Sequence, residues 1–380
     1  MAWNKKSIKL TSKPTHLPYF KWCLAIGLSI LFLIYSLSLK NKDEVTQQKE
    51  FFRIIISILP FLITIITFLY KHIVYIKNKN IYSFLYNEKK FADKKWEDWG
   101  RRSVCVIDSI FFLPQKTTIS YINNNAAEHI SCYHIPQNID YLDEKKPSVY
   151  YLLKSTQPTI EKLLDKLSIK IKYLTTKDKN KIRDELYLVW RELFLNKEIP
   201  DFEIVDGLSY QHIENTIANN DDNIEIIIID QSVKENQSAA LGILIMSSDD
   251  IIKKHHIDIM ANVQRPMLIA EDENYQEALN IFSEIQIDSN LATHIILDSK
   301  ANSNILMALF NNDNSLNDIS LDNTLDIEYF IGPIDDYSSW ITMGLSVNFV
   351  YQYKKNILSL CQSENNFYIN TVTTNNEQIE

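Results

Sequence analysis

The chain has 380 residues, with 48 Asp and Glu against 39 Lys and Arg and a formal net charge of −9. So acidic a chain has no general field for phosphate, which excludes nucleic-acid binding by overall charge. Its six glycines (Gly27, Gly100, Gly207, Gly242, Gly332 and Gly344) never cluster, so GxGxxG, GxxxxGK[ST] and GxSxG loops are absent. Nucleotide binding, dinucleotide binding and α/β-hydrolase chemistry are disfavoured with them.

Residues 1–22 form a basic N-terminus carrying Lys5, Lys6, Lys9, Lys13 and Lys21 and no acid. Two uncharged stretches of seventeen residues follow, Cys23–Leu39 and Ile54–Tyr70, the second extending to residue 76. Roughly 17–25 apolar residues cross a hydrocarbon core of about 30 Å. The expectation is a transmembrane hairpin with helices at 23–39 and 54–76, joined by a short periplasmic loop at 40–53. Short loops rich in Lys and Arg stay in the cytoplasm. The flanks therefore put both termini, and the soluble domain, on the cytoplasmic side of a bacterial inner membrane. A cleaved signal peptide is the rival reading of the first stretch. The second stretch and the missing small-x-small site weigh against it. Gly27 and Ser29 offer a place for close helix approach.

Residues 77–104 form a basic juxtamembrane segment in which Ile81, Phe84, Leu85, Phe91, Trp96 and Trp99 make an imperfect apolar stripe. It suits either an interfacial helix or packing on the domain. Charge divides at this point. Residues 1–80 hold twelve Lys and Arg and three acids, leaving 27 and 45 for residues 81–380, a balance of −18.

Residues 105–372 read as a layered α/β domain, in which strand and helix patterns alternate. Pro158 opens a helix through Leu167, with Thr159 as its cap. LSIKIKYL has the period-two alternation of a strand, and Lys179–Phe194 carries a helical stripe. A strand at Phe202–Val205, a helix at Tyr210–Ala218 and a covered strand at Ile224–Asp230 come next. Strands follow at Ala239–Met246 and Ile257–Val263, a helix at Asn274–Ile285, a strand at His294–Asp298 and a helix at Ser303–Phe310. After a polar loop at Asn311–Asp322 come a strand at Leu325–Phe330, a long helix at Ser338–Leu360 and a closing strand at Phe367–Val372. Residues 373–380 read as a disordered tail, and no internal repeat is visible.

The four cysteines, Cys23, Cys105, Cys132 and Cys361, show no ligand spacing and suit free thiols in a reducing compartment. His129, Cys132 and His134 make a compact cluster; in a strand Cys132 and His134 share one face, but more metal ligands are lacking. Asp335 and Asp336 follow Gly332-Pro333 on a turn, and Asp249 and Asp250 precede His255 and His256. Adjacent acids at helix starts are explained as caps without chemistry. No catalytic, cofactor-binding or metal-binding residue is assigned.

The succession IEIIIIDQS, NQSAALGILIMSSDD and IMANVQRP, then THIILDSKANS, IEYFIGPIDDYSSW and ITMGLSVNFVYQ, resembles the second half of thiolase-like condensing enzymes over residues 222–372. That likeness implies a central strand ending in Asp and a nucleophilic cysteine at a helix start, activated by the dipole and nearby histidines. Cys105, Cys132 and Cys361 lie outside any such elbow, so the expectation is a degenerate, non-catalytic version. The basic start, the hairpin and KKWEDWGRRSVCVIDSIFFLP, with Trp96, Trp99, Arg101, Arg102, Pro114 and the small residues Ser238–Leu241, also resemble proteobacterial inner-membrane proteins that accompany type VI secretion clusters. The expected function is a membrane-anchored scaffold or adaptor binding a protein partner, a secretion component or effector, with no nucleotide or nucleic acid. The alternative is a membrane-tethered enzyme acting on an acyl or lipid-linked substrate.

Overall fold

The computed structural model describes residues 3, 5, 8–38, 47–124, 128–195, 197–218, 223–271, 273–298, 303–310, 319, 321–364 and 366–374. They form two compact units, residues 6–94 and residues 1–5 with 95–380. In the first, α1 (Tyr19–Ser38) and the start of α2 (Gln47–Gly100) are both long and apolar enough to cross a membrane. Leu24, Leu31, Ile56, Ile66 and Ile73 are more than half exposed. The Ser36 and Ser57 hydroxyls meet between the two helices, whereas nothing approaches the position of a Gly27 side chain. The two helices touch through these serines at one end and through Tyr19 and Trp22 against Phe68 at the other, not through Gly27. α2 begins inside the expected 40–53 loop and runs unbroken through the juxtamembrane segment; residues 40–46 of that loop lie outside the described residues.

The second unit runs β1 (Ser103–Phe112), α3 (Ile119–Asn124), α4 (Ser148–Leu164), β2 (Ser168–Thr175), α5 (Lys179–Leu193), β3 (Asp201–Val205), α6 (His212–Ala218), β4 (Asn223–Gln231), β5 (Ala240–Ser248) and α7 (Asp249–His255). It continues with β6 (Ala261–Gln264), β7 (Met267–Ile269), α8 (Tyr275–Ile285), β8 (His294–Leu297), α9 (Ser303–Phe310), β9 (Thr324–Asp326), α10 (Ile327–Ile331), α11 (Ser338–Tyr353), β10 (Ile357–Ser363) and β11 (Asn366–Thr373). The strands pair in the order β3-β2-β4-β5-β1-β6-β11-β10-β8-β9, with β7 on β11.

That order contains a duplication. Setting β7 aside and numbering the strands of each half in chain order, both halves read 3-2-4-5-1 from their outer edge. In each, strand 2 is parallel to strands 3 and 4, and strand 5 is antiparallel to strands 4 and 1. The antiparallel pair β1–β6, with Ser103 opposite Gln264, joins them. A repeat invisible in sequence is thus present in topology, because a covered strand asks only for apolar residues of about the right size.

The side chains on each strand divide between cores. Ile224, Ile226 and Ile228 face Leu152, Leu186 and Trp190 of α4 and α5. Ile227 and Ile229 face a middle core shared with Trp340, Val347 and Ile213. In the other half Ile295, Leu297, Leu358 and Leu360 pack on Phe282 and Leu309, while Ile296, Ile357 and Cys361 turn to the middle core. The layers are helix, sheet, helix, sheet, helix. α11 occupies the middle and is buried on nearly every side, as an all-round apolar helix must be. Its Gly344 and Gly242 of β5 together admit the ring of Phe111, which a Cβ on either would strike.

Several expectations are corrected. The helix expected at Ser338–Leu360 stops at Tyr353, where Lys354 turns left-handed (φ 54°), and ILSLC becomes β10 between β8 and β11. The strand expected at Leu325–Phe330 is only β9, after which the Asp326 carboxylate accepts from Glu328 N and starts α10. α4 starts ten residues before Pro158 and contains it; Thr159 caps nothing and donates instead to Asp108 Oδ2 at 2.6 Å. α6 begins at His212 and β6 at Ala261, later than expected. Residues 311–318, most of the expected polar loop, and 375–380 of the expected tail lie outside the described residues.

Candidate functional site

The loops at the carboxyl ends of the parallel strands in both halves meet at the starts of α6 and α11. Ligand sites of α/β sheets commonly form at such ends. Here the space is filled. Tyr210 is fully buried, donates its hydroxyl to Asn370 Oδ1 at 2.9 Å, and meets the rings of Trp340 and Tyr368 edge-on. Trp340 Nε1 donates to Leu208 O at 2.7 Å and the Tyr337 hydroxyl to Asp206 O at 3.0 Å. Ser338 Oγ and Gln362 N both donate to the buried Asp298 Oδ2. Burial pushes the Cys361 thiol well above its ordinary range and the Tyr210 hydroxyl likewise, so neither ionises near neutral pH.

No helix in the described residues starts on a cysteine. The cap positions of α4, α5, α7, α8, α10 and α11 hold Pro147, Asp178, Ser248, Asn274, Asp326 and Tyr337. Cys105 is buried in β1 and donates to Asn262 Oδ1 at 3.0 Å. Cys132 lies in a turn, not a strand, with its sulfur 3.8 Å from His129 Nε2, and burial raises its pKa. His134 stands at φ 59°, so the shared strand face expected for Cys132 and His134 does not exist. The His129 ring packs on Phe330 at 4.9 Å and against Tyr121 and Tyr329.

The acidic pairs lie apart, one opening α7 and one just before α11. Arg102 forks onto Asp249 Oδ1 at 2.8 Å and Asp250 Oδ2 at 2.5 Å at the start of α7, while His255 and His256 close the same short helix. Tyr337, rather than the expected Asp335 or Asp336, occupies the cap position of α11, and Asp336 pairs with Lys234 at 3.4 Å. A cavity of about 870 Å³ lies beside α7, lined among others by Arg101, Cys105, Asp249, His256 and Asp288.

The most developed polar cluster surrounds Asp230, the expected acid at the end of the central strand. It is 1% exposed. Its Oδ1 takes Lys177 Nζ at 2.7 Å, and its Oδ2 takes Ser148 Oγ at 2.7 Å and Tyr173 OH at 2.9 Å. A cavity of about 300 Å³ opens beside it. The parallel register Thr175↔Asp230 brings β2 and the Lys177 turn to this carboxylate, and α4 supplies Ser148 from its first turn. A second cluster joins His212 Nε2 to Glu225 Oε2 at 2.7 Å, with Lys172 3.4 Å from Glu225 Oε1. Burial alone would raise the Glu225 pKa, but His212 and Lys172 outweigh it and hold it below the ordinary 4.5.

Sequence reasoning singled out Asp230 as a strand terminus and missed Lys177, Tyr173 and Ser148. It read Tyr210 only as a helix residue. The left-handed Gly332 (φ 78°) leaves no room for a side chain against Ile135 O and Ser238 Oγ, and Ser238 N donates to Pro333 O at 2.7 Å. The loops after α3, β4 and α10 are knitted there.

Solved structures share this architecture. A chain from the complex of a type II PKS acyl-carrier protein with its ketosynthase, bound to the hexaketide, aligns at a TM-score of 0.50 and 10% identity, over 72% of this chain and 100% of that one. Acetamide-bound OleA of Xanthomonas campestris gives 0.45 and 10%, over 71% and 98%. Human mitochondrial 3-ketoacyl-CoA thiolase in complex with CoA gives 0.43 and 8%, over 71% and 97%. No family model and no curated protein matches the chain. The body has a thiolase-like fold; identities this low speak to the fold alone.

Proposed function

We propose that this chain is a membrane-anchored, non-catalytic scaffold or adaptor whose thiolase-like body binds a protein partner in the bacterial cytoplasm. The observation that carries the reading is the filled junction of α6 and α11, where Tyr210, Tyr337 and Trp340 are buried at the carboxyl ends of the parallel strands, the place where α/β sheets commonly bind ligands. The two exposed apolar helices support the anchor. Trp3 and Lys5 pack on the α/β body, through Trp99, Phe282 and Glu284, which supports a reading with the chain on either side of residues 6–94 in one compartment. That supports an even number of crossings. In its finer form, resting on the sequence resemblance, the partner is a type VI secretion component or its cargo.

A pull-down of the full chain from solubilised membranes tests the reading. Recovery of secretion components or an effector is expected. Recovery of acyl carrier protein, together with one thiol that iodoacetamide labels far faster than the others, would favour a membrane-tethered acyl-transfer enzyme instead.

A further inference from the structure

The two ends of the α1–α2 pair differ in charge. Beyond the Ser36–Ser57 contact, residues 40–53 mix four basic with three acidic residues. At the other end the residues leading into α1 lie against α2. His16 Nδ1 and the Tyr75 hydroxyl are 3.3 Å apart, Tyr19 and Trp22 meet Phe68, and Lys71 stands over the Trp22 ring at 5.6 Å. Tyr and Trp gather where hydrocarbon gives way to headgroups, which supports that level for this collar of rings. Five lysines share it. Lys21 adjoins Trp22, and Lys13 precedes His16 by three residues. Lys71 and Lys79 lie one helical turn, about 6 Å, to either side of Tyr75, with Lys77 between Tyr75 and Lys79.

All five are exposed, and among the described residues none of them meets a carboxylate. No acid is at hand, since residues 8–38 and 51–87 contain neither Asp nor Glu. The body behaves otherwise: Lys146, Lys172, Lys177 and Lys197 each meet a carboxylate. Like charges gathered at one level repel one another, and an anion from outside the chain relieves them. At a headgroup that anion is the lipid phosphate, to which an ammonium donates charge-assisted hydrogen bonds. A zwitterionic headgroup offsets its phosphate with an ammonium of its own, whereas phosphatidylglycerol leaves it bare. We infer that the collar of Lys13, Lys21, Lys71, Lys77 and Lys79 selects anionic phospholipids over zwitterionic ones. The inference rests on the membrane anchor of the reading above and names the lipids held around it.

The test reconstitutes the full chain in phosphatidylcholine vesicles carrying a trace of spin-labelled phosphatidylglycerol or spin-labelled phosphatidylcholine. Electron paramagnetic resonance then reads the fraction of each label that the protein immobilises. Phosphatidylglycerol should be held about fivefold more strongly, what a single lysine contributes near an anionic surface. Raising the salt to about 1 M should remove most of that preference. The variant Lys13→Gln/Lys21→Gln/Lys71→Gln/Lys77→Gln/Lys79→Gln should bring the ratio close to one, and its Lys→Arg counterpart should keep it. Lys40→Gln/Lys42→Gln/Lys49→Gln/Arg53→Gln, at the other end, should leave it unchanged. Equal retention of the two lipids by the wild type, or a preference that survives the five Gln changes or the salt, overturns the inference. So does competition by inorganic phosphate at constant ionic strength, which would mark a site for soluble phosphate. Should the Gln variant fail to reconstitute, the wild-type ratio and its salt dependence decide. If carbonate strips the chain from the vesicles, the anchor reading falls and takes this inference with it. If the chain stays and both lipids are held alike, only this inference falls.

Discussion

Removing the Asp230 carboxylate strips Lys177, Tyr173 and Ser148 of a common acceptor inside the body. Lys177 keeps water access, so its share of the loss is small. The buried Tyr173 hydroxyl dominates, and Asp230→Ala should cost about 2–3 kcal/mol in urea unfolding, with Asp230→Asn costing less because an acceptor remains. Glu225 gives a pH signature. Its folded pKa lies below the ordinary 4.5, so its contribution is complete above that value and disappears as pH falls through the folded one. Wild type and Glu225→Gln should therefore differ in urea midpoint at pH 7 and converge on acidification below 4.5. Asp326 acts in the opposite sense, since burial raises its pKa despite the Tyr133 hydrogen bond, and its protonation favours the fold. A gap that stayed constant with pH would show that the His212–Glu225–Lys172 cluster is not linked to folding.

At the level of elements, glycine sets two close approaches. A Cβ on Gly100 would lie 2.5 Å from Ile285 Cγ2 and 3.0 Å from Ile285 O, so the end of α2 docks on the end of α8 only because residue 100 lacks a side chain. Gly344→Ala would drive α11 into the Phe111 ring; such overpacking costs about 1–3 kcal/mol, and Phe111→Leu should restore part of it in a double-mutant cycle. Independent, additive losses would refute that contact. The same scale shows what sequence could reveal. IEIIIID, THIILD and the closing strand were readable because covered strands are unbroken apolar runs. β10 was not, because ILSLC follows α11 with neither glycine nor proline between, and short apolar runs have no decisive period. The partners of Asp230 lie 53, 57 and 82 residues away, joined by register and packing that local pattern does not encode.

Across the whole molecule, the duplicated sheet leaves two outer edges, β3 of five residues and β9 of three. Strands that short offer little template for further pairing, so assembly by edge addition is not expected. Topology is checked by cysteine labelling in intact cells: a site in the 40–53 loop should react with an impermeant maleimide, and tags at either terminus should be reached only after lysis. A terminus labelled from outside would overturn the hairpin. The Trp3 contact with Phe282 also has a kinetic meaning. The indole emerges from the ribosome early, yet its seat is not complete until α8 has been translated and folded. Made long before the helix that seats it, it comes home late, and a nascent chain stalled before residue 282 should leave Trp3 open to protease.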